Sequence, residues 1–179
     1  MKRLFLDMDG TLAAWQTATF EELNEPHFFA KRPTNGNVVA AMDMFHQMIA
    51  REDIEVYILS AVIPKESIIN DKNAWLDNFC PFIKKENRLF VPGEMSKAQY
   101  VQERLGTITE EDFLLDDYSK NIREWASDGG IPIKLFNGIN GRSGSFYGEY
   151  TCAWLHPKQI VADIVRIMEL PAFDIESIK

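Results

Sequence analysis

The sequence predicts an α/β fold with a Rossmann-like, doubly wound parallel sheet. Short apolar runs, typical of buried parallel strands, alternate with stretches whose apolar residues recur at helical spacing. Strands joined through helices form right-handed parallel crossovers. Polar residues directly follow several of the apolar runs. Because ligands of such sheets bind beyond the carboxyl ends of the strands, those polar residues are the candidate functional groups.

The predicted elements follow that alternation. Strands are predicted at residues 4–6, 54–59, 88–91, 113–115 and 131–136. Helices are predicted at 16–23, 37–50, 67–79, 97–105 and 119–125, and a last one begins at His156-Pro157. Thr34 or Asn35 is the predicted cap of the second helix and Ser96 that of the fourth, while 137–145 is a predicted loop and the last residues a tail. Residues 1–179 are therefore expected to form one domain, with a small cap insert at about 13–33.

Composition and charge exclude several classes of function. The chain has 179 residues, 46% of them hydrophobic, and a formal net charge of −8. That charge disfavours an extended nucleic-acid surface. No signal peptide and no run long enough to span a membrane is visible, so a cytoplasmic protein is expected. Cys80 and Cys152 provide no disulfide framework and are predicted to be small buried hydrophobic residues.

The first acidic motif is Asp7-Met8-Asp9-Gly10-Thr11, directly after the first predicted strand. Two carboxylates in this position can hold a divalent cation, or one can act as nucleophile and the other as general acid/base. Gly10 lets the backbone approach a ligand closely, and Thr11 adds a hydroxyl donor. The alternative interpretation is a strand end with solvated acids.

Two further strand ends carry suitable groups. Ser60 follows the second predicted strand, where its hydroxyl and the succeeding backbone N–H groups can bind a phosphate oxygen. Asp116 and Asp117 follow the strand at 113–115. Asn121 lies one helical turn further on, from where it is expected to orient Asp117. The alternative is an ordinary acidic helix N-terminus, which the helix dipole favours.

The insert at 13–33 interleaves aromatic and charged residues. Its aromatic side chains either stack on a substrate ring or pack the insert onto the core. Trp15 and Phe20 are the predicted substrate-facing residues. His27 is an alternative acid/base candidate, although a surface histidine is the preferred interpretation.

These motifs carry a family resemblance. Asp7 to Leu12 resembles the first motif of the haloacid-dehalogenase (HAD) superfamily of phosphotransferases, and Ser60 matches its second motif. The segment from Leu114 to Asn121 resembles its fourth motif. Asp71-Lys72-Asn73-Ala74-Trp75 is similar to the lysine-bearing segment of the 5′(3′)-deoxyribonucleotidases (cytosolic type C 5′-nucleotidases). The likeness is diffuse but extends from the first motif to beyond Asp116-Asp117.

The resemblance implies a three-layer HAD fold in which the first and fourth motif strands are neighbours. It implies Mg²⁺ held by the Asp7 carboxylate, the Asp9 backbone carbonyl and the Asp116 carboxylate. Asp117 would lie beside the metal or serve as an alternate ligand. Asn121 and Thr11 would contact these metal ligands without binding the metal themselves.

The resemblance also implies a reaction. Asp7 would attack phosphorus to form an aspartyl-phosphate, while Asp9 would serve as general acid and then general base. Ser60 and either Lys72 or Lys97 would hold the phosphoryl oxygens. For Lys72 the alternative is a solvated helix lysine.

The implied substrates are deoxynucleoside monophosphates, with pyrimidines first, and the short insert leaves base selectivity open. Other candidates are a phosphatase for a sugar phosphate or a nucleic-acid end, and a non-catalytic HAD domain. A receiver-like phosphoacceptor is also a candidate, but the motif order argues against it. The preference for 5′ or 3′ phosphate and the oligomeric state stay open.

Overall fold

A six-stranded parallel sheet forms the centre of the computed structural model, which describes residues 1–16, 18–49, 53–139 and 148–171. In chain order the described strands are β1 (Lys2–Leu6), β2 (Ile54–Val62), β3 (Arg88–Pro92), β4 (Asp112–Asp116), β5 (Ile131–Phe136) and β6 (Tyr150–Cys152). Their order across the sheet is β3-β2-β1-β4-β5-β6, and all neighbours run parallel. The predicted Rossmann-like arrangement is confirmed.

Six α-helices connect and flank the described strands: α1 (Phe20–Leu23), α2 (Gly36–Met48), α3 (Glu66–Phe79), α4 (Lys97–Leu105), α5 (Ser119–Ser127) and α6 (Pro157–Ile167). A short 3₁₀ helix, Lys85–Asn87, precedes β3. None of the described helices is long and apolar enough to cross a membrane.

The alternation of side chains along β1 produces the three layers. Leu4 and Leu6 lie in a hydrophobic cluster with buried residues of α2, α3 and α6. Phe5 points to the other face, where it packs with residues of α4 and with Trp125 of α5. Both faces of the sheet are therefore covered by helices, which accounts for the nearly continuous apolar sequence of its central strands.

The functional edge lies where the strand order reverses. Leu6 of β1 is opposite Leu115 of β4, and the Asp7 N–H donates to the Leu115 carbonyl at 2.9 Å. The expectation that the two acidic strand ends are neighbours is thereby confirmed. Such a reversal creates a crevice at the carboxyl ends of the strands, where ligands of open α/β sheets bind.

Several element boundaries differ from the predictions. The predicted helix at 16–23 is a single turn that begins at Phe20, because Thr19 forms a capping box with Glu22; Thr17 lies outside the described residues. Ser60 lies inside β2 and pairs with β3 instead of following the strand. The strand β6 was not predicted, since three residues are too few to show a period.

Other predictions need smaller corrections. Cys152, predicted to be buried, is only half-buried, whereas Cys80 is fully buried as predicted. Asn35 occupies the α2 cap position without a side-chain capping bond, while Ser96 caps α4 as predicted. Residues 140–145 of the predicted loop, residue 50 of the predicted second helix and the tail from 172 lie outside the described residues.

A buried arginine fixes α3 against the start of β3. The Arg88 guanidinium donates to the Ile83 carbonyl, to the Asn73 side-chain oxygen at 3.1 Å and to Asp77 at 2.7 Å. The hydrogen bond from Arg88 lowers the pKa of Asp77. Because α3 carries Lys72, the Arg88 contacts also position a candidate site residue.

Replacing Arg88 by methionine is expected to lower the free energy of unfolding by about 2 kcal/mol, because buried carbonyls lose a charged donor. Lys85→Met is the matched control, since Lys85 also pairs with Asp77 but is largely exposed; its effect should stay within about 0.5 kcal/mol. Chemical denaturation at several pH values measures both. The Arg88→Met deficit should shrink as acid protonates Asp77, whose ionised form Arg88 stabilises. An equal loss of stability in Arg88→Met and Lys85→Met would contradict the stabilising role of the buried Arg88 contacts.

Candidate active site

Three buried aspartates meet at the carboxyl ends of β1 and β4. Asp7, Asp116 and Asp117 each offer a carboxylate oxygen, and these three oxygens lie within 4.8 Å of one another. All three residues are nearly inaccessible to solvent. Clustered like charges repel, so such an arrangement requires nearby cations.

Lys97 provides one of those cations. It is the first residue of α4, and its Nζ donates to Asp7 Oδ1 at 2.5 Å and to Asp116 Oδ2 at 2.6 Å. Burial disfavours the charged form of Lys97, but Asp116 and Asp7 outweigh it and raise the pKa of the lysine. Burial also raises the pKa of Asp7 well above its usual range, with Lys97 opposing that effect.

Lys72 provides a second cation on the other side of the first motif. The fully buried Lys72 donates to Asp9 Oδ2, to Ser60 Oγ at 2.7 Å and to the Ala61 carbonyl at 3.0 Å. The ring of Phe29 lies 4.7 Å from its Nζ. The alternative of a solvated helix lysine is therefore wrong, and the structure brings Lys72, Ser60 and Asp9 together.

The first motif contains polar atoms with no internal partner. Asp7 Oδ2, Asp9 Oδ1 and Thr11 Oγ1 are buried and have no hydrogen-bond partner among the described residues. Buried polar atoms are normally satisfied, so such atoms at the end of a sheet call for a ligand. Unpartnered carboxylate oxygens beside a buried aspartate cluster fit a hard divalent cation such as Mg²⁺.

Asn121 orients a different aspartate from the one predicted. Its amide donates to Asp116 Oδ2 at 2.8 Å, whereas Asp117 was the expected partner. Asp116 Oδ1 accepts the Tyr118 N–H at 2.7 Å. The direction of α5 explains the difference, because its first turn curls back over Asp116. Asp116 is thus held by Asn121, Tyr118 and Lys97.

Asp117 packs directly against the first motif. Gly10 has a φ of +94°, and a Cβ built on it would lie 2.4 Å from Asp117 Oδ2. Only glycine therefore allows the motif loop and the Asp117 carboxylate to come this close. The Asn35 amide donates to the Gly10 and Thr11 carbonyls at 3.2 and 2.8 Å, which holds the same loop from α2.

Two residues of this region were missed in the sequence. Lys134 of β5 is buried and donates to the Asp117 carbonyl and to Ser119 Oγ, and Asn137 contacts both Gly10 and Asp117. Both carried a usable signal. Lys134 is the one charged residue in an apolar strand, and Asn137 is the polar residue directly after that strand.

Two adjoining cavities open at this edge. The first, of about 310 Å³, is lined by Asp7, Asp9, Trp15, Ala61, Lys97, Asp116, Asp117, Tyr118 and Asn121. The second, of about 440 Å³, is largely apolar and is lined by Asp9, Trp15, Leu23, Phe29, Ala61, Val62, Ile63, Pro64, Gly93 and Glu94. Asp9, Trp15 and Ala61 line both cavities. The arrangement can hold a charged group against the aspartates and an apolar group beside it.

The insert residues are divided between the cavities and the surface. Trp15 borders both cavities, whereas Phe20 is 66% exposed and is not among the residues that line them. The His27 side chain is 69% exposed and contacts Asp71 at 3.2 Å, which agrees with a surface histidine. Trp75 Nε1 donates to the Arg32 carbonyl at 2.7 Å and ties the end of the insert to α3.

Comparison with known proteins supplies the family. Residues 11–151 match the model of the family described as "5' nucleotidase, deoxy (Pyrimidine), cytosolic type C protein". The chain belongs to this nucleotidase family. It is therefore a phosphoric monoester hydrolase. The matched range begins directly after Asp7-Met8-Asp9-Gly10. No curated protein matches the sequence.

A solved phosphatase structure shares the fold of this nucleotidase-family chain. The D,D-heptose 1,7-bisphosphate phosphatase from Burkholderia thailandensis superposes with a TM-score of 0.60 at 11% identity, over 92% of this chain and 99% of the other. An uncharacterized protein from Corynebacterium glutamicum has a TM-score of 0.48 at 14% identity, over 97% and 98% of the two chains. The heptose bisphosphate phosphatase confirms the phosphatase-type three-layer fold.

Gly10→Ala is expected to destabilise the protein more than a glycine replacement at a similar backbone angle. Gly129→Ala is the matched control, because its φ is +96° and a Cβ at that position would have only an ordinary contact at 3.6 Å. The control should cost about 1–2 kcal/mol for the left-handed backbone. Gly10→Ala should lose at least about 1 kcal/mol more, because the methyl group collides with Asp117. Equal losses in chemical denaturation would show that Asp117 moves aside freely.

Proposed function

We propose that the chain is a Mg²⁺-dependent nucleoside monophosphate phosphatase that acts through an aspartyl-phosphate on Asp7. One observation carries the proposal. Asp7 and Asp9 face a common cavity with unpartnered buried carboxylate oxygens, and each carboxylate contacts its own buried lysine. A nucleophile and an acid/base therefore lie together in a site prepared for a phosphoryl group. Residues 13–33 act as the small cap of this single domain.

The metal site is the carboxylate cluster. Asp7, Asp116 and Asp117 are positioned to hold Mg²⁺, and the Asp9 backbone carbonyl is a further candidate ligand. Bound Mg²⁺ would offset the repulsion among the carboxylates and the charge of the phosphoryl group. Asp117 is proposed as a ligand alongside Asp116, because its carboxylate lies in the same cluster as those of Asp7 and Asp116.

The chain's own residues carry out the transfer. A carboxylate oxygen of Asp7 attacks phosphorus, and the bond to the leaving oxygen breaks as Asp9 donates its proton to that oxygen. Asp9 then takes a proton from a water molecule, which attacks phosphorus and releases Asp7 and inorganic phosphate. Ser60, Lys72 and Lys97 bind the phosphoryl oxygens and stabilise their charge.

The position of Asp9 indicates where the leaving group of the substrate lies. Since Asp9 protonates the leaving oxygen and borders both cavities, the rest of the substrate extends into the apolar cavity. Trp15 and Phe29 line this cavity, and aromatic lining suits a nucleoside base. Among the described lining residues the charged groups are Asp9 and Glu94, so a second phosphate on the leaving group is disfavoured.

Several features support a nucleotide over other phosphomonoesters. The family description names deoxy and pyrimidine 5′ nucleotidases of the cytosolic type, which also favours a cytoplasmic location. The sugar bisphosphatase likeness is one of fold, and the apolar cavity suits a ring system better than a polar sugar phosphate. Nucleic-acid ends are disfavoured by the net charge of −8.

Phosphate release from a panel of substrates tests the proposal. The panel contains deoxyribonucleoside and ribonucleoside monophosphates, a nucleoside bisphosphate and a sugar phosphate, each with Mg²⁺ and with chelator. Wild type should release phosphate from nucleoside monophosphates only with Mg²⁺, and Asp7→Asn should lose roughly 10³-fold or more. Asp128→Asn, on the exposed end of α5, is the charge-matched control. Release that survives in Asp7→Asn would contradict the nucleophile assignment, and release from sugar phosphates alone would contradict the nucleotide assignment.

The two lysines should affect different steps. Lys97→Met and Lys72→Met should each lower kcat/KM roughly 10²–10³-fold, because each removes a charge from the phosphoryl site. Lys72 contacts Asp9, so its loss should be greatest for substrates with poor leaving groups; Lys97 contacts Asp7, so its loss should be similar for all substrates. Comparing a nucleotide with an aryl phosphate measures this difference. Identical ratios for the two variants would contradict the separate roles.

A further inference from the structure

The strand β5 contributes a residue that the proposed chemistry does not use. Asn137 follows β5 directly, at the same edge of the sheet as the aspartate cluster. Its amide nitrogen donates to the Gly10 carbonyl at 2.8 Å and to Asp117 Oδ2 at 2.7 Å. One side chain therefore joins the first acidic motif to the second.

The orientation of this amide is determined by its surroundings. Asn137 Oδ1 accepts the Ile139 N–H at 2.9 Å, so the NH₂ group must face Gly10 and Asp117. Both contacts then use N–H donors against oxygen acceptors. Rotating the amide would place its oxygen against the Asp117 carboxylate. Both groups are hydrogen-bond acceptors with negative oxygens, so they would repel each other.

Asp117 is also fixed through its main chain. Lys134 lies in β5, the strand that Asn137 follows, and it donates to the Asp117 carbonyl and to Ser119 Oγ. Lys134 thus holds the main chain of Asp117, while the Asn137 hydrogen bond restricts rotation of the carboxylate and keeps it beside Gly10.

We propose that Asn137 is a positioning residue that holds the Asp117 carboxylate in the metal-binding cluster. This inference rests on the proposed function, because it takes the cluster with Asp7 and Asp116 to be the Mg²⁺ site. Three carboxylates within 4.8 Å repel one another, and the hydrogen bond from Asn137 opposes rotation of Asp117 out of the cluster. Asn137 fixes the ligand before the metal arrives, as residues that support metal ligands commonly do.

Titration of the substrate-free protein with Mg²⁺ by isothermal calorimetry tests the proposal. Asn137→Ala removes both donated hydrogen bonds, and Asn137→Asp keeps the shape but places a second carboxylate against Asp117. Asn87→Ala is the matched control: Asn87 is also half-buried, but its amide donates at 3.0 Å to Val56, near the amino end of β2. Circular dichroism and thermal unfolding establish that each variant is folded.

Asn137→Ala should bind Mg²⁺ about 10–100-fold more weakly than wild type, and Asn137→Asp more weakly still. Asn87→Ala should keep wild-type affinity. In phosphate release, the Mg²⁺ concentration for half-maximal rate should rise in Asn137→Ala by the factor that calorimetry gives, with kcat largely restored at saturating Mg²⁺. Wild-type Mg²⁺ affinity in both folded Asn137 variants would overturn the positioning role and leave the proposed function standing. A wild-type protein that binds no Mg²⁺ would overturn both.

Discussion

The pairing of β1 with β4 is the constraint on which the rest of the site depends. Their register places Leu6 opposite Leu115, so Asp7 and Asp116 leave the sheet at the same edge. The apolar residues of both strands are buried on both faces, and a slip of one residue would turn every side chain to the opposite face. Packing of the hydrophobic core therefore holds together charged groups that repel one another.

Charge balance explains how these buried carboxylates lie close together. The four aspartates of the two motifs are accompanied by three buried lysines, Lys72, Lys97 and Lys134. One formal negative charge is left in this group. A divalent cation would make the group net positive, and a phosphoryl dianion would then return it to net negative. Buried charges require this kind of compensation, because removing one partner leaves an unpaired ion in a low-dielectric region.

The sequence was most informative where the signal is local. Apolar runs identified five of the six described strands, and acidic residues directly after two of them identified the edge where they meet. Contacts that depend on the path of the chain in three dimensions were harder to predict from the sequence. Asn121 follows both Asp116 and Asp117 at about one helical turn, and only the path of α5 selects Asp116. Asn137 comes 127 residues after Gly10, so the sheet order has to be known before their contact can be expected.

The short insert contributes aromatic side chains to the lining of the two cavities. Trp15 borders both cavities, and Phe29 covers Lys72 while lining the apolar cavity. For the proposed nucleotide substrate, stacking on such rings would accept any base, because every base has a π-face. Base selectivity would then have to come from polar groups around the ring. Among the described lining side chains the polar groups are the Asp9 and Glu94 carboxylates and the Trp15 indole N–H. Of these, Asp9 belongs to the proposed chemistry and Trp15 is a proposed stacking ring, whereas Glu94 has neither role. Substitution of Glu94 is therefore expected to change base preference without disturbing the aspartates to which we assign the proposed chemistry.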